Sequence, residues 1–258
     1  MAIWFFRSGG QNMKKEIFII MALLICILVS VPVMVAGRSE GENVSQTGNG
    51  WYVFQNAEIG DYVTFGSYEQ DNNLDNGQEP IEWEVLDIQE GKALLLSRYA
   101  LDCQPYNEEH IDVTWETCSL RAWLNSTFLN TAFTEDEISI IPTVTVSADE
   151  NPVYDTDPGN DTKDQVFLLS IREAKQYLST TESRICVPTA YAISRGVIQS
   201  NSNKVNSEST CWWWLRSPGY YSYRAARVLK GGIINTLGYF VVVGIGTVRP
   251  ALWVNLQS

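Results

Sequence analysis

Val166-Phe-Leu-Leu-Ser-Ile-Arg-Glu173 decides how the chain is to be read. Val166 to Leu169 is an apolar run of strand length. Ser170 follows it, and Glu173 comes three residues later. That is capping-box spacing, in which the hydroxyl and the carboxylate each satisfy a free backbone N–H of the first helical turn. A strand or turn therefore feeds a helix running to about Leu178. Upstream, Val63-Thr-Phe65 and Trp83-Glu-Val-Leu-Asp-Ile88 carry the strand period, and Ala93-Leu-Leu-Leu96 after Glu90-Gly91 completes a hairpin. Leu120, Trp123, Leu124 and Phe128 have helical spacing from about Ser119. Thr134-Glu-Asp-Glu137 is a second capping box, and Pro188-Thr-Ala190 opens another short helix. Downstream strands return at Trp212–Leu215, Ala225–Leu229, Ile233–Ile234, Tyr239–Val243 and Val248–Val254, with Lys230-Gly-Gly232 as a hairpin turn. Strands, then helices, then strands predict one α+β domain, with mixed or antiparallel sheets closed by both ends of the body and a loop-rich C-terminal half.

The N-terminal 37 residues read as a targeting segment. Met13-Lys-Lys15 precedes Ile17–Ala36, twenty residues without a charge, and then Gly37. This is the pattern of a secretory signal, and the run is also long enough to span a bilayer. Residues 1–37 are read as an extension and a signal peptide or uncleaved anchor, 38–50 as a polar Gly/Ser/Asn linker, and 51–258 as the folded domain. Both readings of the leader put the domain at the cell surface or outside the cell. Membrane contact is then expected only through an uncleaved N-terminal segment.

Net charge excludes a further class. Eighteen Lys and Arg against thirty Asp and Glu give −12, and a broad nucleic-acid surface needs clustered cations instead. His110 is the single histidine, which excludes multi-His metal sites and leaves little room for His-assisted nucleophiles. With Cys26 in the apolar run, four cysteines remain in the exported part. The simplest pairing is Cys103–Cys118 and Cys186–Cys211, each closing a loop worth about 3 kcal/mol. Four buried thiols is the alternative.

Two acidic loops have calcium-like composition. Asp155, Asp157 and Asp161 alternate around Gly159, and Asp71–Glu79 is built likewise. No other cofactor is expected, and the alternative for both loops is a turn ordered by Asx hydrogen bonds. Arg216 and Arg249 lie within apolar strands, where a guanidinium needs carboxylate or carbonyl partners, and so read as structural staples. In Trp212-Trp-Trp214, alternation points Trp213 away from its neighbours, either as an exposed aromatic or against a second layer.

Five motifs carry a resemblance: Gly77-Gln-Glu-Pro-Ile-Glu-Trp-Glu-Val-Leu86, Leu94-Leu-Leu-Ser-Arg-Tyr-Ala-Leu-Asp102, Thr114-Trp-Glu-Thr-Cys-Ser-Leu-Arg-Ala-Trp-Leu-Asn125, Asn160-Asp-Thr-Lys-Asp-Gln-Val-Phe-Leu-Leu-Ser170, and Trp212-Trp-Trp-Leu-Arg-Ser-Pro-Gly219 with Val248-Arg-Pro-Ala-Leu252. Together they resemble the bacterial family catalogued as domain of unknown function 6273, over about Gly60 to Leu256. More distantly they resemble the C-type-lectin-like scaffold of formylglycine-generating enzymes and of variable binding proteins. The matching elements are Phe167–Glu173, Trp214–Arg216, Gly231-Gly232 and Val248–Pro250. The enzymes of that scaffold use a close late cysteine pair, and here nothing cysteine-containing follows Cys211. The resemblance therefore implies a single C-type-lectin-like domain that is no enzyme. With the N-terminal leader and the Tyr220–Arg224 stretch, the expected function is an exported module recognising a protein or glycan through Trp213, Tyr220, Tyr221, Tyr223, Arg224, Asn235 and Tyr239. Tyr, Ser and Arg are the residue types that binding surfaces favour. A structural cell-envelope domain and a divergent enzyme of the sulfatase-modifying scaffold are the alternatives.

Overall fold

A computed structural model describes residues 54, 56–200 and 202–256. The expected leader and linker, Cys26 and residues 51–53 lie outside the described residues. Among those described, no helix is long and apolar enough to cross a membrane.

One five-stranded antiparallel sheet has the order β1 (Tyr62–Tyr68), β2 (Glu79–Gln89), β3 (Lys92–Ser97), β14 (Ala251–Asn255), β7 (Val166–Phe167). In β2 the alternation buries Ile81, Trp83 and Val85 and leaves Glu82 and Glu84 partly exposed. The β2–β3 hairpin turns on Glu90 and Gly91, both at positive φ, as a two-residue turn matching strand twist requires. Leu94–Leu96 is buried on both faces because β3 lies inside the sheet, between β2 and β14.

The second five-stranded sheet has the order β12 (Ile234–Phe240), β11 (Arg224–Val228), β10 (Trp213–Pro218), β13 (Thr247–Val248), β4 (Asp102–Cys103). Only the β10–β13 pair is parallel. The chain passes from this sheet to the first through Arg249-Pro250. Pro250 has no N–H for a ladder, which ends β13, but its carbonyl accepts from Ser97 N–H at 3.0 Å. Buried side chains from both sheets join one hydrophobic cluster.

Short helices fill the middle of the chain. α1 (Ser119–Trp123) runs through a π-helical turn at Leu124–Phe128 into α2 (Leu129–Ala132), burying Leu120, Leu124, Phe128 and Leu129. The π turn presents Asn125, which accepts from Gln165 and Val166 N–H and donates to the Val166 carbonyl, fixing the approach to β7. Both capping boxes form, opening α3 (Glu135–Ile140) and α4 (Ile171–Tyr177). Thr189 caps α6 (Ala190–Ser194), after the four-residue α5 (Thr181–Arg184). Two-stranded ladders pair β5 (Val144–Val146) with β6 (Thr162–Asp164) and β8 (Lys204–Val205) with β9 (Glu208–Ser209).

The architecture is α+β, sheet-rich, with few short helices. Two strand boundaries differ from expectation: Val248–Val254, expected as one strand, is divided between β13 and β14 in different sheets, and the pair before it merges. Ile233–Ile234 and Tyr239–Val243 were expected as separate strands. A single β12 runs from Ile234 to Phe240, and Val241–Val243 turns away. Gly238, at φ 74°, carries the strand through; a Cβ there would stand 2.6 Å from the Ala225 carbonyl oxygen.

Candidate functional site

The surface of β10, β11 and β12 is built from aromatic rings in series. Cross-strand register sets Arg224 opposite Phe240, Ala225 opposite Tyr239, and Trp214 opposite Arg227. Trp212 and Trp214 point the same way and meet edge-to-face at 4.7 Å. Trp212 contacts Tyr239 at 5.9 Å, Tyr239 contacts Phe240, and Phe240 lies near-parallel to Tyr223 at 6.0 Å. Tyr223 stacks on Tyr221 at 5.1 Å, Tyr221 meets Tyr220 at 4.2 Å, and Tyr220 meets Tyr154 at 4.7 Å. Tyr220, Tyr221 and Phe240 are 42%, 44% and 36% exposed, and Leu237 and Val242 beside them are exposed too. The row therefore reaches from the core to solvent.

The 150s loop frames one end of this row. Asn151 donates to the carbonyls of Pro218 and Thr236, each at 2.8 Å, and Thr156 donates to that of Tyr220. Residues 150–158 enclose a hollow of about 480 Å³. Asn235, a sequence candidate, is half-buried; its carboxamide oxygen accepts from Gly238 N–H at 2.8 Å and shapes the strand.

Two arginines lie on the rings. The Arg224 guanidinium sits 4.4 Å from the Phe240 centroid, and that of Arg227 sits 4.1 Å from Tyr239 and 4.8 Å from Trp212. The Nε of each is buried without a hydrogen-bond partner. Burial, with the like charge of Arg224 beside it, holds the Arg227 pKa below the usual arginine value, although Tyr239 acts in the opposite sense. Sequence reading singled out Arg224 and missed Arg227, Tyr154 and Trp212. No spacing in the sequence marks Arg227, because its place beside Arg224 depends on the bulge between Ala225 and Arg227. His110, read as a solvated loop residue, is exposed but packs on Tyr223 at 5.2 Å and Phe240 at 5.6 Å.

Trp213 departs from its expected ligand-binding role. It is fully buried, its indole N–H donates to the Arg184 carbonyl at 2.9 Å, and Arg249 lies over its ring. Alternation along β10 turns it toward the second layer, so it belongs to the scaffold. Asp155, Asp157 and Asp161 are likewise not gathered around one point. Asp157 accepts from Gly159 N–H and Asp161 from Ala148 N–H, so two of the three order backbone turns. Among the described residues the carboxylates that do converge are Glu69, Asp71 and Glu79, within 4.8 Å of one another. They too accept backbone N–H groups, from Asn73, Gln70 and Asp71.

All four described cysteines are buried thiols. Cys103 and Cys118 have different neighbours, the Gly244 carbonyl for one and the Trp115 carbonyl for the other, against their expected pairing. Cys186 and Cys211 do face each other, across an isolated antiparallel bridge. Burial pushes the Cys118 thiol up to about 12, and burial with the Asp102 charge pushes Cys103 up to about 11. Burial opposes ionisation of Cys186 as well, but the Cys211 thiol and the Arg249 charge outweigh it and hold Cys186 below the ordinary thiol value. Cys211 is held well above it, by burial and by its neighbour.

Arg216 is clamped. It reaches both carboxylate oxygens of Glu173, Asp149 at 3.3 Å, and the carbonyls of Ser147 and Leu168. Arg249 donates to the Ser97 carbonyl at 2.8 Å and lies 3.8 Å from Glu84, while its Nη1 has no partner.

The fold and this surface define a sheet-rich α+β domain that presents a row of rings with two unpaired cations. The chain belongs to a family described as "Domain of unknown function (DUF6273)", whose model matches residues 90–256. The match starts beyond β1 and β2, although both strands belong to the same sheet as β3 and β14. No curated protein and no solved structure matches the chain.

Proposed function

We propose that the chain is an exported, non-catalytic binding module on a C-type-lectin-like scaffold, recognising a protein or glycan through the β10–β12 face. The observation that carries this reading is the unbroken series of rings from Trp212 to Tyr154, exposed at Tyr220, Tyr221 and Phe240 and overlaid by Arg224 and Arg227. Tyr, Trp, Phe and Arg are the residues most enriched at interface centres and most costly to truncate there. Rings locked against one another lose little conformational freedom when a ligand arrives.

The test uses the full chain and its Tyr221→Ala/Phe240→Ala variant on a glycan array and in cell-surface protein pull-downs. Binding by the parent that the variant loses supports the proposal. Blank results in both formats overturn it, as does binding that the double variant retains.

A further inference from the structure

In a chain of net charge −12, cations are scarce. Every other described arginine has a carboxylate or carbonyl partner within reach. Arg224 and Arg227 have neither, lie in one strand on either side of a bulge, and carry buried Nε atoms without acceptors. Two like charges held together on an apolar face raise each other's energy, and an arriving anion relieves both.

Resting on the binding reading above, we propose that the ligand is an acidic peptide segment of a partner protein. Its carboxylates engage Arg224 and Arg227, and an adjoining apolar side chain packs on Tyr221 and Phe240. Charge complementarity selects the anion, since a planar guanidinium pairs with carboxylate in two parallel hydrogen bonds. The surroundings select a peptide over a sugar. Leu237 and Val242 add exposed aliphatic surface, which suits an apolar side chain. The nearby carboxamides that would read sugar hydroxyls are already committed: Asn235 to Gly238 N–H and Asn151 to two carbonyls. Tyr223 is stacked with Tyr221 and Phe240, so less free ring face remains for a sugar to cover.

The experiment pans the full chain against a displayed library of random linear peptides and measures the selected peptides by fluorescence anisotropy. The expected result is enrichment of Asp and Glu beside aromatic or aliphatic residues. Affinity should fall steeply with added salt and by at least about tenfold in Arg224→Gln/Arg227→Gln. Arg98→Gln, which removes a paired cation elsewhere, should change nothing, and Arg224→Lys/Arg227→Lys should keep part of the affinity. If the Gln pair fails to fold, the same peptides resynthesised with Asn for Asp and Gln for Glu give the readout on the intact protein, and loss of binding is again expected. Peptides without acidic enrichment, or binding indifferent to amidation, overturn the anionic assignment while the binding reading stands if Tyr221→Ala/Phe240→Ala still abolishes it. Acidic oligosaccharides bound where no peptide is recovered overturn the peptide assignment. Binding that neither Arg224→Gln/Arg227→Gln nor Tyr221→Ala/Phe240→Ala affects overturns both this inference and the reading beneath it.

Discussion

The arginines of β10 and β11 sit on neighbouring strands of one sheet and have opposite circumstances. Arg216 on β10 is 2% exposed and satisfied by two carboxylates and two carbonyls. Arg224 and Arg227 on β11 are half-buried and rest on ring faces with no anion. A buried charge persists only when its partners are built in. A half-buried charge left bare is tolerated through cation–π attraction, which is worth about 0.5–2 kcal/mol and leaves the cation's stronger affinity, for an anion, unused. Burial with full pairing marks scaffold; partial burial without pairing leaves hydrogen-bonding capacity that a bound anion would use.

The contrast breaks most readily at Arg216. Arg216→Ala should destabilise by about 3–5 kcal/mol, because Glu173 loses its counter-charge in a largely buried setting and Asp149 keeps only Arg172. Urea unfolding measures it, and a change under about 0.5 kcal/mol would dissolve the distinction. Arg249→Ala is intermediate: one good hydrogen bond, a distant carboxylate and an unpartnered N–H predict a loss of about 1–3 kcal/mol by the same measurement. Arg224→Gln/Arg227→Gln should leave stability within about 0.5–1 kcal/mol, since removing mutual repulsion offsets lost cation–π contact. A loss as large as that at Arg216 would make these arginines scaffold too.

The smallest effect belongs to Asp102 on β4, a buried carboxylate that accepts from Tyr68 and Cys103 yet is only distantly faced by Arg195, at 3.9 Å. Burial raises its pKa against these hydrogen bonds. The folded protein therefore keeps its proton longer than the unfolded chain does. Stability from this group is fully present below the ordinary carboxylate value near 4 and declines as pH rises through the raised folded value. Asp102→Asn should flatten that decline, a shift of about a degree or two in melting temperature between pH 3.5 and 7. A wild-type curve that instead rises more steeply than the variant's across this range refutes the direction.

Much of the scaffold was legible because its signals are local. Glu90-Gly91 makes its turn, and Ser170–Glu173 and Thr134–Glu137 close their capping boxes, through contacts within three residues. The site was half legible. Tyr220 to Arg224 stood out by composition, but Arg227 joined them only through the β11–β12 register, which no spacing reveals. Trp213 was placed correctly by alternation as opposing its neighbours, yet alternation does not say which side is covered. The Asp155–Asp161 loop failed because acidic composition cannot distinguish carboxylates aimed at a metal from carboxylates turned onto backbone N–H groups. Cysteine order suggested Cys103–Cys118, whereas three-dimensional neighbours are set by β4 and α1, which carry the two thiols to different surroundings.

The position of β14 governs how the molecule comes into being. It lies in the interior of the first sheet, between β3 and β7, although it follows both in the chain and is the last strand among the described residues. During synthesis β3 has an open edge until residues 251–255 emerge, with the apolar Leu94–Leu96 run on the unfinished side. Hairpin β2–β3 can form early, but the sheet cannot be completed strand by strand as the ribosome delivers them. Closure joins segments more than 150 residues apart and so costs loop entropy before any contact rewards it. Until β14 pairs, the edge of β3 stays open, and a chain cut short by the β14 residues would keep that apolar edge exposed rather than form a slightly smaller domain.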